Sequence, residues 1–576
     1  MLKHLLLSLL ALCGAVMAEP AAAQSSGGTG LARLAPVAPT ASCASLAALD
    51  LTGATGARTT LAAHEVAGPK AYCEVTGTIA RDIHFEVRLP LAGWTQRFLQ
   101  TGCGGLCGML SIHLDRDEGC APVTDGTIAL ASDDMGHHGM GGAWGENADQ
   151  RIDFAYRGNH VTALAAKALI KAFYGQVPRF SYFSGCSDGG REALIAAQRY
   201  PADYDGIAAG APALNFTVQN SFHHGWLAKA NTGPDGKAIL TAADMPLLHD
   251  AVLKACDGLD GLADGQITDP RACHLDADTI ACGNRHPEPG KCFTDVQVAA
   301  VGAIYDGARS DTGKRLEVGP LVPGSELEWI GVFVPRDADG QIGSTGMALG
   351  TVNHLLFTPN PDYTVPTFPF TNAMFRREED ARKLYNADNP DLAPFAVHGG
   401  KLILYHGWSD PHISPLNTID YYDRVGRALS ADKRATFVRM FLMPGMGHCG
   451  GGDGPSEFPL LVSLMAWVEG GSAPDMMLAH RPPPPAGLAP SASAPAGPRP
   501  GAVKGLGDGG PPPEMLREMQ RKQAELAKLG PRERPVYAYP RVAQYNGSGS
   551  PDVVTSFHPV TPAATSGISD WIGSMP

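Results

Sequence analysis

The chain has 576 residues, 44% hydrophobic and 18% charged, and a net charge of −13. A chain of this length and apolar content buries a large core and holds more than one structural unit. Its acidic balance, with no basic cluster, excludes a nucleic-acid partner, whose phosphates demand a concentrated positive face.

Met1, Leu2, Lys3 and His4 precede an apolar run at 5–17 and the small residues Ala21, Ala22 and Ala23, the layout of a secretory leader (1–23) cleaved after Ala23 or Ala18. A secreted or periplasmic protein is expected. The run is too short to span a bilayer, and Leu12 before Cys13 fits a lipoprotein site poorly, so no stable membrane anchor is expected. Loss of the leader takes Cys13 from the 12 cysteines and leaves an odd number in a disulfide-permissive compartment. At least one is therefore unpaired, and no repeated C-x2-C spacing points to zinc.

Residues 24–40 are a low-complexity N-terminal segment, and strand-forming runs follow at 84–89 and 97–100. Asp133-Asp134-Met135-Gly136-His137-His138 reads as a structural loop near the site rather than a metal cluster. A helical stretch at 161–174 leads to a short aromatic strand at 178–183, then Gly185-Cys186-Ser187-Asp188-Gly189, then helix formers from Arg191 to Gln198. Strand, G-x-S-x-G and helix together make a nucleophile elbow, in which glycines let strand and helix pack closely around a strained serine. Another buried strand closes at 206–210, so that 41–212 reads as the first part of a mostly parallel α/β core.

At 213–397 the pattern changes to helices, long loops and clustered cysteines, the mark of an inserted second domain. Within it, Asp257, Asp260 and Asp264 alternate with glycines, so that a tight loop could wrap calcium, which takes six to eight oxygens. The spacing is not that of an EF-hand. The core resumes at 398–480, with buried strands at 401–407 and 438–443 that lead to Asp410 and His448. Residues 481–513 form a Pro-rich linker or surface insertion, and 514–576 supply a charged helix (514–529) and a core-completing segment.

A serine hydroxyl becomes a useful nucleophile when a histidine takes its proton and a carboxylate fixes the tautomer of that histidine. Ser187, Asp410 and His448 stand in the Ser…Asp…His order of α/β-hydrolases, and the latter two follow strands, where open α/β sheets place their sites. The expected class is α/β, an α/β-hydrolase fold with a large inserted lid domain. The oxyanion donors expected are the backbone N–H of Asp188 and one from the loop Thr101-Gly102-Cys103-Gly104-Gly105.

Gly185-Cys186-Ser187-Asp188-Gly189-Gly190, His406-Gly407-Trp408-Ser409-Asp410 and Gly447-His448-Cys449-Gly450 together resemble the tannase and feruloyl esterase family, which includes mono(2-hydroxyethyl) terephthalate hydrolases. The resemblance runs from about Cys43 to Ile572, interrupted by the Pro-rich tract. It implies a disulfide between Cys186 and Cys449, which would tie elbow to base loop, and others joining Cys43 to Cys73, Cys256 to Cys273 and Cys282 to Cys292. Chain-entropy reasoning values the first at roughly 5 kcal/mol. For Cys103, Cys107 and Cys120, a Cys107–Cys120 bridge with Cys103 free is one arrangement, and the sequence leaves the pairing open. The resemblance also implies Gly105 as the second oxyanion donor and a structural lid calcium held by Asp257, Asp260 and Asp264 carboxylates and Leu262 and Gln266 carbonyls. Two departures stand out: Cys103 replaces a frequent Asn, and Tyr537 and Pro559 occupy the places of a C-terminal bridge.

The activity expected is hydrolysis of aromatic (phenolic) esters such as feruloyl or galloyl esters through an acyl-enzyme, with no organic cofactor. Terephthalate monoesters, a peptide bond, or silent binding on the same fold are the alternatives. Trp329, Phe333, Phe357, Phe368, Phe370 and Phe375 are candidate pocket residues with core packing as the competing role. Arg376, Arg377 and Arg382 are candidates for a substrate carboxylate, against a solvated helix face. Oligomeric state is not legible.

Overall fold

Short strands bounded by turns build the central sheet of the computed structural model, which describes residues 30–112, 114, 116–283, 291–481, 530–563 and 570–573. The leader, the start of the low-complexity segment, most of the Pro-rich tract and the helix expected at 514–529 lie outside the described residues. The first strands are β1 (Thr59–Val66), β2 (Tyr72–Ile79), β3 (Ile83–Pro90), β4 (Arg97–Thr101) and β5 (Ala129–Asp133). After them come β6 (Phe180–Cys186), β7 (Gly206–Gly210), β8 (Lys401–Gly407) and β9 (Val438–Met443). They form one nine-stranded sheet in the order β1-β2-β3-β5-β4-β6-β7-β8-β9.

The first three strands and the β3–β5 pair are antiparallel, while β5, β4, β6, β7, β8 and β9 run parallel. Composition explains the difference. Every residue of β4 and β7 is buried, as a strand covered on both faces requires, whereas β3 alternates Ile83, Phe85, Val87 and Leu89 inside with His84, Glu86 and Arg88 outside. Helix α1 (Gly158–Tyr174) buries Val161, Ala165, Leu169 and Phe173, and α2 (Asp188–Arg199) follows the elbow.

Between β7 and β8 the chain leaves the sheet and builds a second buried cluster within residues 227–334, around Leu248, Ile304, Trp329 and Phe333. Helices α3 (Met245–Cys256) and α4 (Asp295–Asp306) frame it, and a Thr294–Gln297 capping box starts α4. Behind β8 and β9, α5 (Pro415–Leu429) and α6 (Leu460–Gly470) return to the core. Strand β10 (Met476–Arg481) pairs with β11 (Arg532–Tyr537), and β12 (Val542–Tyr545) with β13 (Phe557–Val560).

Candidate active site

Ser187 sits between β6 and α2 with φ 65° and ψ −119°, a left-handed conformation that a serine adopts only under constraint. Its carbonyl accepts from Arg191 N at 3.1 Å and Ala213 N at 3.0 Å, so the turn is pinned from both sides. Glycine is obligatory beside it. A Cβ on Gly185 would lie 2.4 Å from Gly189 O, and one on Gly190 2.3 Å from Gly210 O.

Beyond the end of β9, His448 reaches Asp410 with Nδ1 at 2.7 Å from Oδ2. A carboxylate only accepts here, so Nδ1 carries the proton and Nε2 keeps its lone pair. Asp410 is itself 1% exposed, and its Oδ1 accepts from the backbone of His412 at 2.8 Å and Ile413 at 3.0 Å. Burial alone would raise its pKa, but the His448 charge and the contacts from His406 and His448 hold it well below the usual carboxylate range. His406 was not assigned a role from the sequence. Its Nε2 faces two acceptors, Asp410 Oδ2 at 3.1 Å and Ile413 O at 2.9 Å, and therefore donates, while Nδ1 accepts from the Thr418 hydroxyl at 2.7 Å. The sequence signal was its place four residues before Asp410 at the end of a buried strand.

Cys186 and Cys449 are bonded, with Cα atoms 5.9 Å apart across 263 residues of chain. The bridge joins the residue before Ser187 to the residue after His448. Cys43–Cys73, Cys256–Cys273 and Cys282–Cys292 are also bonded.

The arrangement with Cys107 joined to Cys120 and Cys103 free is corrected by the structure. Cys103 pairs with Cys107, and Cys120 is the free cysteine among the described residues, buried with Leu99, Met443 and Leu464 beside Met465. A bridge across four residues closes the Gly-rich loop on itself, and left-handed Gly105 (φ 64°) and Cys107 (φ 61°) let it turn so tightly. That loop lies on the elbow, since a Cβ on Gly102 would come 2.7 Å from Gly189 Cα. Buried Glu192 approaches both sulfurs, with Oε1 3.0 Å from Cys103 Sγ and 3.3 Å from Cys107 Sγ. Burial first, then the charges of Asp188 and Asp133, push its carboxyl well above the usual range.

The side chain of Asp188 is turned inward to a bidentate pair with fully buried Arg191, at 2.7 and 3.0 Å. Arg191 also donates to Phe154 O and Ala155 O, each at 3.0 Å. Such a fork holds the first turn of α2, and with it the backbone N–H of Asp188, in one orientation.

The inserted segment covers this end of the sheet. Ser409 Oγ donates to Gly324 O at 3.1 Å, Ser414 Oγ to Pro320 O at 2.7 Å, and a Cβ on Gly447 would lie 2.4 Å from Glu328 Oε2. His224 is 5.6 Å from His412, whose ring is 4.7 Å from that of His448. Trp329 and Phe333 are buried in the 227–334 cluster, and Phe357, Phe368 and Phe375 in another that includes Cys107, with Phe370 partly buried against it. Arg377 covers the Phe357 ring and donates to Tyr363, Arg382 covers Phe375 and pairs with Glu379, and Arg376 is exposed.

In the acidic loop, Asp257 accepts from the backbone of Asp264, Gly265 and Gln266 at 2.9 to 3.2 Å, and Asp260 from Leu262 at 3.0 Å. Asp264 pairs with Arg534 and, at 3.5 Å, with Arg532. Burial raises the pKa of both Asp260 and Asp264, and the nearby acidic side chains add to it. The oxygen chemistry suits a hard cation, although two arginines already offset part of the charge.

Residues 65–560 match the model of the family described as tannase and feruloyl esterase. The chain belongs to that family. It is 32% identical over 484 residues to a mono(2-hydroxyethyl) terephthalate hydrolase of Piscinibacter sakaiensis, covering 73% of this chain and 79% of that protein. It is 34% identical over 431 residues to a probable feruloyl esterase B of Emericella nidulans, covering 70% and 76%. The crystal structure of feruloyl esterase B from Aspergillus oryzae superposes with a TM-score of 0.68 at 27% identity, covering 86% of this chain and 91% of that one. Family membership makes the protein a carboxylic ester hydrolase with the α/β-hydrolase fold. Among the described residues, no helix is long and apolar enough to cross a membrane.

Proposed function

We propose that the protein is an exported serine esterase acting on aromatic (phenolic) esters, with feruloyl and galloyl esters as the substrate class. The observation that carries the mechanism is the 2.7 Å contact of His448 with buried Asp410, on a loop bonded through Cys449 to the residue before a strained Ser187. Ser187 Oγ attacks the ester carbonyl while His448 Nε2 takes its proton. The N–H groups of Asp188 and Gly105 stabilise the oxyanion, and the alcohol leaves with the proton from His448. Water activated by the same imidazole then releases the acid from the acyl-enzyme.

Similarity to feruloyl esterases supports the phenolic reading, and similarity to the terephthalate monoester hydrolase keeps that substrate as the alternative. Five disulfides among the described residues, together with the N-terminal leader pattern, support export. Calcium in the loop at Asp257, Asp260 and Asp264, with Leu262 and Gln266 carbonyls, belongs to the same reading as a structural ion; it takes no part in the chemistry.

The experiment is acid release from methyl ferulate, methyl gallate and mono(2-hydroxyethyl) terephthalate by wild type and Ser187→Ala. Preference for one phenolic ester, abolished in the variant, supports the proposal. Preference for the terephthalate monoester moves the substrate to the alternative, and activity surviving Ser187→Ala overturns the mechanism.

A further inference from the structure

Asp82 lies in the turn just before β3, and His84 is on the half-buried face of β3, opposite buried Ile83 and Phe85. The antiparallel pairing of β3 with β5 then brings in the loop after β5. Past the register pair Phe85↔Asp133, Asp134 N donates to His84 O and His84 N donates to Asp134 Oδ1, each at 3.0 Å, and His138 follows four residues later. The rings of His84 and His138 are 4.4 Å apart. One ligand atom from each of Asp82, His84 and His138 lies within 4.8 Å of the other two.

The tautomer of His84 is set. Its Nδ1 is 2.8 Å from Oδ2 of Asp134, which is buried and accepts only, so Nδ1 donates and the lone pair is on Nε2. That Nε2 is the atom 3.9 Å from Asp82 Oδ1. A buried carboxylate behind a histidine whose second nitrogen points to other donors is the support that protein-bound transition metals use to orient a ligand. Asp82 and His138 are about half exposed, at 45% and 50%, so both can rotate toward a common centre.

We propose that Asp82, His84 and His138 form a binding site for a divalent transition-metal ion of the zinc class, with Asp134 as the carboxylate that positions His84. Two imidazoles and one carboxylate suit zinc, copper or nickel rather than the hard cations, which prefer oxygen alone. Ligand bonds of about 2.0 to 2.2 Å require the three atoms to close by roughly 1 Å, within reach of side chains on the surface.

The site is coupled by contact to the oxyanion loop. Gly108 donates to Asp134 O at 3.2 Å and Gly139 to Gly108 O at 2.9 Å, and a Cβ on Gly105 would meet Met140 at 3.2 Å. An ion held by His84 and His138 therefore ties β3 to the segment on which the Cys103–Cys107 loop rests. The proposal stands independently of the esterase chemistry.

Isothermal titration of zinc into the tag-free, oxidised full chain tests it, with Asp82→Asn, His138→Ala and, as a control away from the site, His64→Gln. Expected are one site in the wild type and in His64→Gln, and affinity at least about tenfold weaker in each of the other two variants. Melting temperature read with and without zinc gives a second measure, and the zinc-induced rise should disappear in the same two variants. Absence of zinc binding by the wild type, or wild-type affinity in both Asp82→Asn and His138→Ala, overturns the proposal.

Discussion

Asp410 Oδ2 is shared between two imidazoles, His448 Nδ1 at 2.7 Å and His406 Nε2 at 3.1 Å. The backbone of His412 and Ile413 holds Oδ1, and His406, held by Thr418 and Ile413, fixes Oδ2, the oxygen that accepts the hydrogen bond of His448 Nδ1–H. Asp410→Asn should lower kcat about 10,000-fold, because an amide at that position favours the wrong tautomer. His406→Gln should lower kcat by roughly tenfold to a hundredfold, the worth of a hydrogen bond to a charged group, with KM unchanged. Steady-state kinetics on the preferred ester give both values. A rise in KM alone for His406→Gln would show that it does not act through Asp410.

The two bridges at the site should fail in different ways. Cys186–Cys449 closes a loop of 263 residues, and the double alanine variant should lose roughly 2 to 5 kcal/mol of stability as well as activity. Cys103–Cys107 spans four residues, so its removal as a double serine variant relaxes little unfolded-chain entropy but frees the loop carrying Gly105. Here kcat should fall at least about tenfold, the scale of a misplaced oxyanion donor, with a shift in melting temperature smaller than that of the first variant. Calorimetry beside kinetics separates the two. Equal thermal losses would contradict this division.

Glu378 is fully buried, and burial pushes its carboxyl up to about 8 against the opposing effects of Ser221 and Arg382. The folded state thus keeps a proton that the unfolded chain releases near the ordinary value of 4.5. Its contribution to stability is complete below about pH 4.5 and is lost as pH rises through about 8. Glu378→Gln should remove that fall, so that the difference in unfolding free energy from wild type grows across this window by up to a few kcal/mol. Urea unfolding between pH 4.5 and pH 8 gives the difference directly. A pH-independent difference would mean that the folded carboxyl titrates normally.

Calcium removal is expected to act on stability and not on chemistry. Treatment with EGTA should lower the melting temperature by several degrees, and calcium but not magnesium should restore it, while kcat of the molecules still folded stays constant. An unchanged melting temperature would show that Arg534 and Arg532 offset the charge of Asp264 without an ion.

Ser187, Asp410 and His448 could be picked out as candidates because each carries a local signature: glycines around a serine between strand and helix, and polar residues just past buried strands. The parallel core was legible too, since β7, β8 and β9 are short, mostly apolar and buried runs that suit a sheet covered on both faces. Local spacing carries no information about partners that register brings together. The Cys103–Cys107 bridge was missed because three cysteines within one stretch allow several pairings, and only the turn at Gly105 and the depth of Cys120 decide among them. The roles of His406 and Arg191 and the meeting of Asp82, His84 and His138 likewise depend on side-chain direction and on the β3–β5 register. The sequence by itself determined the class of fold and picked out Ser187, Asp410 and His448 as the candidates for the proposed site. Tertiary structure alone decided which groups orient those residues, because hydrogen bonds and disulfides form between atoms that folding, not chain spacing, makes neighbours.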